Sequence, residues 1–139
     1  MISLKGYLNQ LDPDNTQANV ILNFRGLNLS KSDFDAILKM LNQAAPSQLA
    51  SITSISFSYN SIIGNLGAIQ LASCLPYTIS EIGLVGCGIG NAGAEALLTW
   101  MSKAQKLKMV CIEQNAFTWP MQQKFRTFKT ENPGIEVVM

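Results

Sequence analysis

The 139-residue chain contains no histidine and only three cysteines, Cys74, Cys87 and Cys111. Without histidine or a C-x-x-C pair, it lacks the ligand sets that tetrahedral zinc sites use. An odd number of cysteines at irregular spacing is not a disulfide framework, so we expect free thiols in a reducing compartment. The missing histidine also leaves Cys111 without the base that usually activates a nucleophilic thiol. We therefore expect no metal site and no cysteine-based catalytic centre.

Charge of either sign is scarce as well. Ten basic residues stand against nine acidic ones, the net charge is +1, and no block of like charge occurs. Nucleic-acid and membrane-surface partners normally require a basic patch, so we expect neither. No apolar run approaches the roughly 18 residues of a membrane span. The N-terminal stretch MISLKGYLNQLDPD lacks the apolar core of a Sec signal peptide, which favours a cytoplasmic chain.

The chain does contain a repeated apolar pattern. Ile52-x-x-Ile55-x-Phe57-x-x-Asn60 recurs as Ile79-x-x-Ile82-x-Leu84-x-x-Cys87 and as Leu107-x-x-Val110-x-Ile112-x-x-Asn115, at intervals of 27 and 28 residues. Upstream, Leu22-x-Phe24 fits the central positions, while Asn19 and Leu27 depart from the pattern. Downstream, Ile135-x-x-Val138 lies 28 residues beyond Leu107 and Val110 and predicts a fifth strand. A fixed period of this length indicates stacked units, none of which buries its apolar face alone.

Helical patterns follow the predicted strands. The apolar residues of the first have the spacing i, i+3, i+4, i+7: Phe34, Ile37, Leu38 and Leu41. We expect helices at about 32–44, 66–75 and 92–103 and from 118 onward, with N-caps at Ser32, Asn65, Asn91 and Thr118. Before the repeats, we expect a strand at residues 1–11. Residues 12–15 are Asp-Pro-Asp-Asn, a sequence that is typical of a turn. Residues 1–18 would then form an N-terminal cap on the repeats at 19–139.

This organisation resembles the leucine-rich repeat family. The Asn-x-Gly-Ala openings of two helical halves, Asn65–Ala68 and Asn91–Ala94, are similar to its ribonuclease-inhibitor-like class. The resemblance implies a single α/β domain over 1–139: a solenoid with a parallel β-sheet on its concave face, α-helices on its convex face and about four to five strand-helix units. It also implies protein binding through the concave face. Short capped forms are similar to bacterial effectors, so translocation into a host cell without a Sec-type signal is a second expected location.

The predicted binding surface follows from strand alternation, because side chains between the apolar positions point out of the concave face. These side chains are small at the centre and larger at the edges, which predicts a shallow trough. Aromatic and arginine side chains dominate interface energetics, so Tyr59, Met109 and Arg25 are the expected anchors. The full set of expected protein-binding residues is Asn23, Arg25, Ser56, Ser58, Tyr59, Glu81, Val85, Met109, Cys111, Glu113 and Gln114.

We expect this surface to lack enzyme activity. Glu81 and Glu113 are the carboxylates on its four well-defined strands, and their backbones would lie roughly 13 to 14 Å apart in a stacked sheet. Paired catalytic carboxylates of glycosidases are about 5 to 10 Å apart. The expected partner is therefore a protein and not a substrate.

One motif points to a different class of protein. Gly88-Ile89-Gly90-Asn91-Ala92-Gly93 is a literal G-x-G-x-x-G between a predicted strand and helix, and Glu113 follows 20 residues after Gly93. This is the outline of a dinucleotide-binding fingerprint. The preceding unit has the same frame without these glycines, so we favour the repeat and expect no cofactor. A Rossmann-like enzyme fragment is the alternative, and a self-associating piece that pairs through an edge strand at 135–139 is another.

Overall fold

The computed structural model describes residues 3–11 and 19–139, in which helices and strands alternate. The elements in chain order are α1 (Lys5–Gln10), β1 (Val20–Asn23), α2 (Lys31–Gln43), α3 (Pro46–Ser51), β2 (Ile52–Ser56), α4 (Gly64–Cys74), β3 (Glu81–Gly83), α5 (Asn91–Lys103), β4 (Met109–Cys111), α6 (Trp119–Glu131) and β5 (Glu136–Val138). The turn predicted at 12–15 lies outside the described residues. The longest helices in the described ranges have 13 residues, and none is long and apolar enough to span a membrane.

The five strands form one parallel sheet in the order β1-β2-β3-β4-β5. Leu22 pairs with Ile55, Ile55 with Ile82, and Ile82 with Val110, so the central positions of the predicted repeat lie side by side. Crossovers between parallel strands are almost always right-handed, and a strand order that never reverses therefore keeps the connecting helices on one face of the sheet. The predicted alternation of strand and helix in an all-parallel α/β fold is confirmed.

A single apolar core lies between the sheet and these helices. Its strand residues are 0–4% exposed, and helix residues such as Ile37, Leu71 and Phe125 pack against them. Phe57 stacks on Phe24 at 5.2 Å between ring centroids. Trp100 of α5 also belongs to this core: it is 2% exposed, and its indole N–H donates to the Leu75 carbonyl at 3.0 Å.

Polar side chains join successive units where the chain leaves each strand. Asn60 Nδ2 donates to the carbonyls of Phe24 and Phe57, and Asn60 Oδ1 accepts from the Leu29 N–H. Asn115 makes the equivalent contacts two units further, where its Nδ2 donates to the carbonyls of Leu84 and Ile112. Cys87 fills the position between them, and its thiol donates to the Phe57 carbonyl at 3.3 Å. These side chains therefore satisfy turn backbone groups that would otherwise lack a hydrogen-bond partner.

The N-terminal strand predicted for residues 1–11 is wrong, because Lys5–Gln10 forms the helix α1. Leu4, Tyr7 and Leu11 have the i, i+3, i+7 spacing of a helix, and this places them against the first unit. The Tyr7 ring lies 4.4 Å from that of Phe24, and its hydroxyl donates to the Asn23 carbonyl. A short helix, α3, was also not predicted. Pro46 begins it instead of merely ending α2, and it accounts for the greater length of the first unit.

Three of the predicted helix caps are corrected. Ser30, not Ser32, caps α2 in a reciprocal capping box with Asp33. Asn65 and Asn91 each cap the next helix along the chain: Asn65 of α4 caps α5, and Asn91 of α5 caps α6. Asn65 Oδ1 accepts from the backbone N–H groups of Gly90 and Gly93, and Asn91 Oδ1 accepts from that of Thr118. The cause is stacking, which brings adjacent helix starts within reach of one side chain.

Thr118 does occupy the N-cap position of α6, as predicted, but its side chain makes no cap hydrogen bond. Its hydroxyl instead accepts from Asn91 Nδ2 at 3.0 Å. Pro120 lies in the first turn of α6, where its missing N–H leaves no helical hydrogen bond unmade.

The predicted register of the last strand is wrong by one residue. Val110 pairs with Val137 and not with Val138. Val137 is 4% exposed, whereas Val138 is partly exposed on the other side of the sheet. A one-residue shift exchanges the two faces of a strand, and two adjacent valines give no sequence signal for choosing between them.

Candidate functional site: the open face of the sheet

The face of the sheet opposite the core carries two rows of side chains, which the strand register aligns. The first row is Ile21, Ser54, Glu81, Met109 and Glu136. The second is Asn23, Ser56, Gly83, Cys111 and Val138. These residues are exposed or partly exposed, in contrast to the buried residues between them. We call this surface the open face.

A third row continues the open face beyond the strand ends. The bonds from Gly26 N to Ser58 O, Tyr59 N to Val85 O and Gly86 N to Glu113 O repeat the ladder of the strands themselves. They align Arg25, Ser58, Val85 and Glu113. All the predicted residues except Tyr59 and Gln114 therefore belong to one of the three rows.

Tyr59 and Gln114 belong to a recurring turn that follows the third row. The residue at this turn has a positive φ in every unit: 64° at Gly26, 63° at Tyr59, 61° at Gly86 and 59° at Gln114. A residue with a Cβ costs about 1–2 kcal/mol in this conformation. Two units accept that cost and place a large side chain at the rim of the open face.

The ring of Tyr59 lies between two neighbours. The Arg25 guanidinium lies 4.7 Å from the ring centroid, in cation–π geometry. On the other side, a Cβ at Gly86 would come within 3.1 Å of Tyr59 Cδ1, so glycine leaves room for the ring. Tyr59 nevertheless keeps 44% of its surface exposed.

The open face encloses a shallow cavity of about 450 Å³. Nine of the eleven predicted residues line it: Arg25, Ser56, Ser58, Tyr59, Glu81, Val85, Met109, Cys111 and Glu113. Asn23 and Gln114 do not. The Asn23 side chain instead accepts a hydrogen bond from the Arg25 N–H. The predicted set missed Val138 because of the register error, and it also omitted Ser54 and Gly83.

Two of the predicted contact residues form the floor of the cavity. Ser58 and Val85 are only 2% and 7% exposed, and Ser58 Oγ accepts from the Val85 N–H at 3.0 Å. Gly83 completes the floor, because a Cβ there would approach Ser56 Oγ to 2.8 Å. The centre of the open face is therefore low, and Tyr59, Arg25 and Met109 rise around it.

The charges on the open face are separated. Arg25 lies at the β1 end, whereas Glu81, Glu113 and Glu136 lie on or beside β3, β4 and β5. Burial and then the nearby charges of Glu113, Glu81 and Glu136, in that order, raise the pKa of the Cys111 thiol. Because thiolates and not thiols are nucleophiles, Cys111 is held in its less reactive form.

The other two thiols are unreactive for a simpler reason. Burial raises the pKa of Cys74 and of Cys87 to about 11. All three cysteines are free. Within residues 3–11 and 19–139, no group of three potential metal-ligating side chains comes together.

The glycine motif between β3 and α5 lies where one helix packs closely on another. A Cβ at Gly93 would lie 2.6 Å from Ile89 Cγ2 and 3.0 Å from Ala68 Cβ of α4. The backbone N–H groups of Gly90 and Gly93, which a pyrophosphate would need, both donate to Asn65 Oδ1 at 2.9 and 2.8 Å. The glycines thus admit the neighbouring helix and its capping asparagine.

No protein-family model matches the chain, and a search of curated proteins finds no match either. Function is therefore inferred from the sheet and its open face.

Proposed function

We propose that this protein is a protein–protein interaction module that binds its partner through the open face. In this proposal the alternating units form a leucine-rich-repeat solenoid of the ribonuclease-inhibitor-like class, with the open face as its concave side and the helices outside. The observation that carries the proposal is the 450 Å³ cavity built from equivalent positions of successive strands. Its rim offers Tyr59, Arg25 and Met109, the side-chain types that anchor protein interfaces.

The size of the surface suggests the strength of binding. Five strands spaced about 4.8 Å apart span only about 20 Å. A standard interface buries about 800 Å² on each partner. Binding is therefore weak, or the partner also contacts the turns that follow the strands, where Gln114 is exposed.

The contacts of Asn65 favour a binding module over a dinucleotide-binding enzyme. A cofactor phosphate would have to displace Asn65 Oδ1 from the N–H groups of Gly90 and Gly93. We expect no saturable binding in a fluorescence titration with NADH up to millimolar concentration. Saturable binding that Asn65 variants alter would support the enzyme instead.

The proposed location is the cytoplasm, or the interior of a host cell after delivery without a Sec-type signal. Three free cysteines, two of them with pKa values raised to about 11, are suited to a reducing compartment.

Self-association is a second candidate, favoured by one observation. β5 (Glu136–Val138) is the last strand of the sheet and pairs only with β4 among the described strands. Such an edge is a template for pairing with another chain. Light scattering across a hundredfold range of concentration tests this candidate, and a mass that stays monomeric excludes it.

The main proposal is tested by pull-down from the relevant cytosol with three forms of the protein. These are the wild type, the double variant Tyr59→Ala/Arg25→Ala and the matched control Tyr77→Ala/Arg126→Ala. The control removes the same side-chain types from exposed positions outside the open face. We expect the wild type and the control to recover the same partner and the open-face variant to lose it. Equal recovery by all three folded proteins would exclude the open face as the binding site.

A further inference from the structure

The open face carries opposite charges at its two ends, and this layout restricts what can bind there. Arg25 and Glu113 lie in the same row, just beyond the ends of the first and fourth strands. Three strand spacings separate their backbones by about 14 Å. Glu81 lies on β3, in the first row, so that Glu81 and Glu113 flank Cys111 from two directions.

None of these three charges is neutralised by another charged side chain of the described residues. The ion pairs in those residues join Lys31 to Asp35, Lys124 to Glu95 and Lys129 to Glu136. Arg25 contacts the ring of Tyr59, and it forms an ion pair with none of the carboxylates in residues 3–11 and 19–139. The influence of Glu113 and Glu81 on the Cys111 thiol is further evidence that both carboxylates face the cavity.

The floor between the charges sets a second requirement. It consists of Ser58, Gly83 and Val85, and Ser58 and Val85 are buried whereas Tyr59 and Met109 beside them are exposed. A segment that crosses it must present small or apolar side chains to this part of the face, because a buried charge would find no partner there.

We propose that the open face binds an extended segment of a partner protein that crosses the strands, with an acidic side chain against Arg25 and a basic side chain between Glu81 and Glu113. Four residues of extended chain cover about 13 Å, which matches the separation of the charges. Residues i and i+4 of such a segment also point to the same side. The motif is therefore Asp or Glu and Lys or Arg four positions apart, in either order, with small apolar residues between them. This inference rests on the proposed function, because it names the partner's chemistry at the same face.

The test is a selection of random 12-residue peptides displayed on phage. The targets are the wild type, Arg25→Glu, the double variant Glu81→Lys/Glu113→Lys and the control Arg126→Glu/Glu131→Lys. The control changes exposed charges on and at the end of α6, away from the open face. Circular dichroism and thermal unfolding establish that every target is folded.

We expect peptides selected on the wild type and on the control to be enriched in opposite charges four residues apart. Selection on Arg25→Glu should lose the acidic residue, and selection on the Glu81/Glu113 variant should lose the basic one. A synthetic peptide chosen on the wild type should bind Arg25→Glu at least about tenfold more weakly. Replacing its acidic residue with lysine should restore binding to that variant. Its affinity for the wild type should fall as salt is raised from 0.05 to 0.5 M.

The outcomes separate the two proposals. If peptides bind the wild type and lose binding with Tyr59→Ala/Arg25→Ala, but carry no charge pattern that the reversals change, the open face binds proteins and this inference is wrong. If the same charged peptides are selected on all four targets, the inference is also wrong. A selection that yields no binding peptide contradicts this inference, whereas the pull-down with Tyr59→Ala/Arg25→Ala remains the test of the proposed function.

Discussion

The side-chain oxygen of Asn65, in the first turn of α4, accepts a hydrogen bond of 2.8 Å from the backbone N–H of Gly93 in α5. It accepts a second from Gly90, at the N-cap of the same helix. A residue of one unit therefore supplies the cap of the next helix, which α5 lacks in its own sequence. This contact couples the stability of two neighbouring units.

Asn65→Ala removes that cap, and we expect the free energy of unfolding to fall by about 1–2 kcal/mol. Urea denaturation monitored by circular dichroism measures the change. Asn42→Ala is the control, since Asn42 is an exposed asparagine near the end of α2. Its effect should stay within about 0.5 kcal/mol. Equal effects of the two substitutions would mean that the Asn65 contact contributes nothing.

Cys87→Asn should stabilise the protein by about 1 kcal/mol. Cys87 occupies the position that Asn60 and Asn115 occupy in the flanking units, but its thiol is a weak donor, 3.3 Å from the Phe57 carbonyl. An amide there would make stronger bonds to the same turn backbone. Cys87→Ala, which removes the thiol and adds no amide, should lower the free energy of unfolding. If Asn is no better than Ala in urea denaturation, the position does not share the geometry of Asn60.

Tyr59→Gly should separate binding from stability. Glycine relieves a φ of 63°, worth about 1–2 kcal/mol, while the loss of the Arg25 contact and the added freedom of the unfolded chain cost a similar amount. We expect the free energy of unfolding to stay within about 1 kcal/mol of the wild type. Partner recovery should nevertheless fall as it does for Tyr59→Ala/Arg25→Ala. Tyr59→Phe, which keeps the ring, is the control and should retain binding.

Stability should decline as the pH rises above 9. The pKa values of Cys74 and Cys87 are raised from 9.0 to about 11 in the folded protein. Between these values the unfolded chain loses the thiol protons first, and the free energy of unfolding therefore decreases with pH. The contribution is complete below pH 9 and is lost progressively towards pH 11. Urea denaturation at pH 7, 9 and 10 measures it.

The variant Cys74→Ala/Cys87→Ala provides the comparison. It lacks both thiols whose pKa values are raised to about 11, so its free energy of unfolding should decline less steeply over the same range. Parallel declines in the two proteins would assign the effect to other groups.

The sequence determines the part of the fold that depends on repetition. Leu22, Ile55, Ile82 and Val110 recur at the central position of each unit, and this repetition predicts that they lie side by side on the core side of a parallel sheet. The role of Asn60 and Asn115 can also be predicted from the sequence. Both follow a strand at the same position of their units, so both are expected to bond the backbone of the same kind of turn. The residues around the cavity follow from the same alternation, and most of them were predicted.

What the sequence could not decide depends on contacts between distant residues. Ser58 and Val85 occupy the same position in their units as Arg25 and Glu113, and the sequence pattern does not distinguish the four. In the structure Ser58 and Val85 are buried at the floor of the cavity, because they lie in the middle of the third row. The positive φ of Tyr59 has no local signal, because tyrosine does not favour it and the turn of each stacked unit imposes it.

Repetition along the chain thus determined which positions face the core and which face solvent, because alternating polarity is a local property. The tertiary structure alone decided the register of β5, the capping of α5 by Asn65 and the burial of Ser58 and Val85. Each of these depends on contacts between residues of different units, and the local pattern of either unit does not encode such a contact.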